Sequence, residues 1–350
     1  MKTLIVASTR ESAGKTSVLI GLAQALGKRF GYLKPLGDRF LYRKKRLWDY
    51  DAALLANVFD LGEEPETISI GFDHSKLRFM YDRTSMFKAL DDVVTAVGRD
   101  RDAIFMECGR DLSYGASVHL DPLTISQETG QPVLIIAGGP EDEVADDLAF
   151  VKRFVGSDEA TVAGVIVNKV VHPDDFKQVH LPEIEAMGVK VFGVIPYERE
   201  LTTLSVSTVV EKLFARVISG EDSMSKPIRN VVVGAASVSA VMDAKLIEKP
   251  DKLMITSGDR SDMILAALDT GGTSCILLTN NIVPPPNVVS KAAAKGVPLL
   301  LVPGDTYATA LQVQRLEPLL TADDQSKFDR LATMIAEHVD LDGVAALLNG

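Results

Sequence analysis

Gly14, Lys15, Thr16 and Ser17 stand between the apolar run Lys2-Thr-Leu-Ile-Val-Ala7 and residues 18–26, where apolar side chains recur on a helical period. These residue types in this order suit phosphate chemistry. A sharp glycine turn aims backbone N–H groups inward, a lysine neutralises β- and γ-phosphates, a hydroxyl reaches Mg²⁺, and the following helix offers its N-terminus to the anion. The usual spacing would place a further glycine at Thr9, and the one-residue-longer variant would place it at Ser8, so the loop is a deviant one.

Two more charged positions lie where a ligand of an open α/β sheet would sit. Lys34, in Phe30-Gly-Tyr-Leu-Lys34-Pro35, closes a predicted second strand at its carboxyl end, with contact to phosphate or substrate as one reading and a surface lysine beside a proline turn as the other. Glu107 ends the apolar run Asp102-Ala-Ile-Phe-Met-Glu107, the usual place for a carboxylate that organises Mg²⁺. Asp49 and Asp51 open a helical pattern, which helix capping explains without function. The basic cluster from Arg39 to Arg46 is read as a solvated loop, with contact to a small anionic metabolite as the sharper option.

Composition narrows the function classes. A net charge of −11 argues against nucleic acid and anionic membrane surfaces as partners. The apolar opening is too short for a signal segment, and no run reaches the roughly 18 apolar residues of a membrane span, so a cytoplasmic protein is expected. Cys108 and Cys275 are too few and too distant for a disulfide framework, and Cys108 beside Glu107 is expected to be a buried structural thiol. His74, His119, His172, His180 and His338 show no metal-ligand spacing, so no zinc site is assigned.

At 350 residues the chain exceeds what one core usually serves. Apolar strands alternate with helical patterns through residue 218, which predicts a mostly parallel sheet covered by helices on both faces. The polar run Ser219-Gly-Glu-Asp-Ser-Met-Ser-Lys-Pro227 is the expected linker. Beyond it the alternation restarts, with strands near 230–234, 252–256, 274–278 and 297–302 and helices after them. The expected division is therefore 1–218, linker 219–227, and a smaller α/β domain at 228–350 that includes the C-terminal helices.

With those residues placed, positions 1–218 resemble the dethiobiotin synthetase-like P-loop ATPases, in the version found as the N-terminal regulatory part of long phosphotransacetylases. Ser8 stands where that family has its first glycine, while Gly14, Lys15, Thr16 and Ser17 match. The resemblance implies Mg²⁺ ligands at Thr16, Asp51 and Glu107, catalytic roles for Lys15 and Lys34, and an adenine-reading Asn168 with Pro196 near the base. Synthetases follow the second Mg²⁺ carboxylate with a glycine-rich substrate loop, whereas this chain runs Cys-Gly-Arg-Asp-Leu-Ser-Tyr-Gly115. Arg10 falls where partitioning ATPases of the same superfamily carry a lysine that crosses a dimer. Ser257-Gly258-Asp259-Arg260 and Val302-Pro-Gly-Asp305-Thr306 resemble a DRTGG domain.

The resemblance implies a protein that binds ATP and Mg²⁺, acts as a slow ATPase or nucleotide sensor in regulation or association, and forms a homo-oligomer. An ATP-dependent ligase that activates a carboxylate or carbamate is the alternative. No acetyl transfer is expected of this chain by itself.

Overall fold

Residues 2–43, 45–155 and 161–349 are described by a computed structural model; Lys44 of the basic cluster lies outside them. They fall into two units, Met1–Glu198 with Leu320–Gly350, and Arg199–Leu319.

The first unit opens with β1 (Thr3–Ser8), α1 (Lys15–Leu26), β2 (Phe30–Leu33), β3 (Phe40–Arg43), β4 (Arg46–Asp49), α2 (Tyr50–Val58), α3 (His74–Met80), α4 (Arg83–Val97) and β5 (Ala103–Glu107). It continues through α5 (Pro122–Thr129), β6 (Val133–Ala137), α6 (Glu141–Val155), β7 (Val162–Val170), α7 (Pro173–Ala186) and β8 (Val191–Pro196). Strands β1, β2, β5 and β6 are buried along their whole length. That is why they read as continuous apolar runs and not as alternating ones. They form a six-stranded sheet of order β2-β5-β1-β6-β7-β8, parallel throughout. The chain leaves β1 toward β2 on one side and leaves β5 toward β6 on the other. The order reverses between these two neighbours, and the crevice at their carboxyl ends is where such sheets bind ligands. The β1 loop and Glu107 both sit there.

The second unit holds β9 (Leu204–Ser205), α8 (Val206–Leu213), β10 (Arg216–Ser219), β11 (Pro227–Ile228), β12 (Asn230–Val233), α9 (Val238–Asp243), β13 (Lys252–Ser257), α10 (Ser261–Asp269), β14 (Thr273–Thr279), α11 (Pro286–Ala294), β15 (Leu299–Leu301) and α12 (Thr306–Gln314). Its sheet runs β10-β15-β14-β13-β12, with β10 antiparallel to β15 and the rest parallel. Alternation separates two cores, because Met254, Ile276 and Leu299 face one side while Leu253, Leu277 and Leu300 face the other. Both thiols are buried, and burial pushes Cys108 and Cys275 well above the ordinary thiol range.

Three sequence expectations are corrected. Within the basic cluster, Phe40–Arg43 and Arg46–Asp49 pair as antiparallel β3 and β4 instead of running as a loop. The last helical pattern before residue 218 ends at Leu213, because Phe214 turns left-handed at φ 50° and Arg216–Ser219 joins a sheet. The run 219–227 links nothing: it lies within the second unit, where Pro227 and Ile228 pair with Ser205 and Leu204.

The last helices, α13 (Gln325–His338) and α14 (Leu341–Asn349), belong to the first unit. Helix α13 packs along α1, and the approach depends on Gly21, where a Cβ would lie 2.6 Å from Ile335 Cγ1 and 3.0 Å from the Leu331 carbonyl oxygen. The segment after α13 closes the β8 edge through a Gly193–Val339 bridge and an Asp340 N–H bond of 2.7 Å to the Phe192 carbonyl. Among the described residues no helix is long and apolar enough to cross a membrane.

Helix α13 buries Phe328, Leu331, Met334 and Ile335. At about 1.5–3 kcal/mol for each such side chain, an upper estimate near 6–12 kcal/mol rivals the whole stability of a typical domain. A chain ended at residue 319 is therefore expected to lose the cooperative unfolding of the first unit, as read by calorimetry. Retention of that transition would contradict the packing described.

Candidate functional site

Between β1 and α1 the chain turns at Gly14, whose φ of 95° disfavours any side chain. A Cβ there would also stand 2.5 Å from Asn168 Nδ2. Two neighbouring side chains from β7 reach across to the loop. Asn168 Nδ2 donates to the Ala13 carbonyl at 2.9 Å, and Lys169 Nζ donates to the Ser12 carbonyl at 2.6 Å. Consecutive loop carbonyls are thus drawn outward. Helix α1 has no side-chain cap and no acidic residue in its first turn, which leaves its N-terminal N–H groups and dipole facing the loop.

Lys15, buried at the first position of α1, donates from Nζ to Ser8 Oγ at 2.9 Å. Ser8 in turn donates to the Arg110 carbonyl at 2.9 Å. The residue that replaces the expected glycine therefore supplies a neutral partner for the loop lysine. Burial lowers the Lys15 pKa against the opposing pull of Glu107.

Glu107, at the carboxyl end of β5, is fully buried and accepts two hydrogen bonds. Thr16 Oγ1 reaches Oε1 at 3.1 Å and Tyr32 OH reaches Oε2 at 3.0 Å. Burial, then the charge of Asp51, raises its pKa to about 7 in spite of Lys34 and Lys15. Thr16 Oγ1 and Glu107 Oε1 are hard oxygen donors already within contact of each other, the chemistry that Mg²⁺ selects. The buried carboxylate would gain from a dication beside it.

Lys34 is 1% exposed, which excludes the surface reading. Its ammonium lies 2.5 Å from Asp38 Oδ1, 2.6 Å from Asp51 Oδ2 and 3.3 Å from Asp49 Oδ1. Burial alone would lower the Lys34 pKa, but Asp51, Asp49, Glu107 and Asp38 outweigh it and hold the pKa well above the ordinary range. Asp49 also accepts four backbone N–H bonds, from Asp38, Arg39, Asp51 and Ala52, at 2.9–3.1 Å. It thereby caps α2, as its position in the sequence implied, and pins the turn before β3. The three carboxylates are close enough together for a cation, and Lys34 supplies that cation.

The structure thus gathers Gly14, Lys15, Thr16, Glu107 and Asn168 around one loop, with Lys34 and Asp51 paired beside it. Ser17 lies half-buried in the first turn of α1. Pro196 ends β8, one strand beyond Asn168, in register with Val170. Arg10 pairs within its own chain, with Asp147 at 2.7 Å and with Glu143. Sequence reasoning missed Tyr32, the loop contact of Lys169 and the enclosure of Lys34. Lys169, at φ 64°, shows its strain only in three dimensions.

Residues 2–205, more than half of the chain, match the family model described as an AAA domain, and residues 208–316 match that of the DRTGG domain. A phosphate acetyltransferase of Nitrosomonas europaea is 25% identical over 97% of this chain and 50% of its own length. One from Pseudomonas aeruginosa is 25% identical over 98% of this chain and 51% of its length. The chain spans about half the length of these curated relatives. A ParA family ATPase from Chlorobium tepidum is 13% identical and covers 57% of this chain and 86% of its own, with a TM-score of 0.36.

Replacing Lys34 by Met is expected to lower stability by about 3–5 kcal/mol, since it strands buried carboxylates without their cation. Urea unfolding measures this, and an unchanged midpoint would show that the three carboxylates do not depend on the ammonium.

Proposed function

The chain belongs to the AAA domain family, and from that membership and the loop geometry we propose that it binds Mg·ATP between Ser8 and Ser17. In this reading the protein is a cytoplasmic nucleotide sensor or slow ATPase with a regulatory role. The observation that carries it is the convergence of Lys15, Thr16 and Glu107 on the uncapped N-terminus of α1, at the point where the strand order reverses.

Each group has a task. Lys15 exchanges its Ser8 hydroxyl for β- and γ-phosphate oxygens, and the first-turn N–H groups of α1 receive the remaining charge. Thr16 and Glu107 would hold Mg²⁺, which would neutralise developing charge on the phosphates. Lys34 keeps Asp51 in place and ionised beside them. Asn168 and Lys169 hold the loop carbonyls away from the anion. Positioning and charge stabilisation would account for hydrolysis, with little covalent work for the protein.

A regulatory role is supported by the company the loop domain keeps, since a DRTGG domain follows directly and the relatives matched over this length are phosphate acetyltransferases. We read the chain as the nucleotide-responsive counterpart of that half of those proteins. The acetyl transfer named for them is not attributed to it.

Calorimetric titration with Mg·ATP tests the reading. Lys15→Ala is expected to weaken binding about ten- to a hundredfold, the loss of one charge-assisted contact of roughly 1.5–3 kcal/mol; equal affinity would overturn the site. Asn168→Ala separates two roles for that residue. A base-reading asparagine would take away a preference for ATP over GTP, whereas a loop-holding one would weaken both nucleotides alike, and the bond to Ala13 favours the second outcome.

A further inference from the structure

The cations around the phosphate loop are engaged in different ways. Lys34 is enclosed by Asp38, Asp49 and Asp51. Arg10 is held by Asp147 and Glu143. Lys169 donates to the Ser12 carbonyl. Arg110 lies over the Tyr114 ring, 5.5 Å from its centroid, with Glu11 at 3.9 Å. Arg39 meets the loop through a neutral side chain, because its Nη2 donates to Ser12 Oγ at 3.2 Å. Its Nη1 lies 3.9 Å from Asp51 Oδ1, the far limit of an ion pair, while Lys34 holds Asp51 at 2.6 Å.

Arg39 is also built into its place. Its N–H donates to Asp49 Oδ2 at 3.0 Å and its carbonyl accepts from the Tyr50 N–H at 2.7 Å, so the end of β4 and the start of α2 pin its backbone. Ser12 stands at a left-handed φ of 60°, with its hydroxyl toward Arg39 and its carbonyl toward Lys169. Lys15 and Arg39 thus share one arrangement, in which a cation rests on a serine hydroxyl of the loop, Ser8 for the lysine and Ser12 for the arginine. A phosphate oxygen carries the charge that a hydroxyl lacks, and a planar guanidinium takes two such oxygens at once.

We propose that Arg39 reads the terminal phosphate of the bound nucleotide and so sets a preference for ATP over ADP. The inference rests on the ATP site proposed above. There Lys15 and the N-terminus of α1 face the phosphates from the end of β1, and Thr16 and Glu107 mark their metal-bound end from the β5 side. Arg39 enters from that side as well, out of the turn after β2, the strand next to β5. The γ-phosphate is the part of ATP that comes within its fork. The guanidinium then exchanges the Ser12 hydroxyl for γ-phosphate oxygens, and ADP offers it none. Lys34, to which the family resemblance gives a catalytic role, keeps its three carboxylates in both states.

Calorimetric titration of the full chain with Mg·ADP and with the Mg²⁺ complex of the non-hydrolysable β,γ-imido analogue of ATP tests this. The wild type is expected to bind the analogue more tightly than ADP. Arg39→Gln should weaken the analogue about ten- to a hundredfold and leave ADP within about twofold. Arg39→Lys, which keeps the charge without the fork, should fall between the two. Lys15→Ala, by contrast, should weaken both nucleotides, since Lys15 also faces the β-phosphate. A damaged hairpin would lower both affinities together, so equal losses for analogue and ADP in Arg39→Gln would overturn the proposal, as would an unchanged affinity for the analogue. A wild type that binds the two equally would overturn it and leave the ATP site standing. A wild type that binds neither would remove the site itself, and the proposal with it.

Discussion

A single buried ammonium holds the site in its shape. Lys34 Nζ neutralises carboxylates that come from the turn after β2, the end of β4 and the first turn of α2. Without it, Asp38, Asp49 and Asp51 would repel one another, and Glu107, itself in contact with Thr16 and Tyr32, would face their field. Charges taken out of water persist only when paired and hydrogen-bonded. The four N–H bonds to Asp49 complete that requirement and tie the hairpin to the helix. One electrostatic constraint thereby fixes both the β3–β4 hairpin and α2 relative to the phosphate loop.

The loop shows how a motif can depart from its usual form and keep its physics. A glycine at position 8 would give the chain freedom but leave the lysine ammonium to find another acceptor. Serine, at the buried end of β1, supplies that acceptor and donates its own hydrogen bond to the Arg110 carbonyl. The turn keeps its left-handed residue at Gly14, where the crowding of Asn168 leaves no alternative.

Much of this was legible in the sequence, for identifiable reasons. Buried parallel strands announce themselves as apolar runs, so β1, β5, β6 and β13–β15 could be placed, and the order of strand, loop and helix located Lys15 and Thr16. Glu107 followed from its place at a strand end. The enclosure of Lys34 did not, because its partners are spread over residues 38–51 and only the fold turns three ordinary acids into one cage. Nor could periodicity say which sheet α13 covers. Gly21, a helix-interior glycine, marked a close approach without naming the partner. Residues 216–219 continued a helical pattern that only the left-handed Phe214 breaks.

The return of α13 to α1 makes the second unit an insertion within the first. During synthesis, residues 199–319 must be made before the helix that covers α1 can appear. At about 5–20 residues per second those 121 residues take roughly 6–24 s. For that interval the apolar stripe around Gly21 waits uncovered, and by its end every strand of the second sheet has been made. The order of assembly is thus written into the connectivity: the inserted unit can close on its own core first, and the unit that starts the chain is the last to be finished.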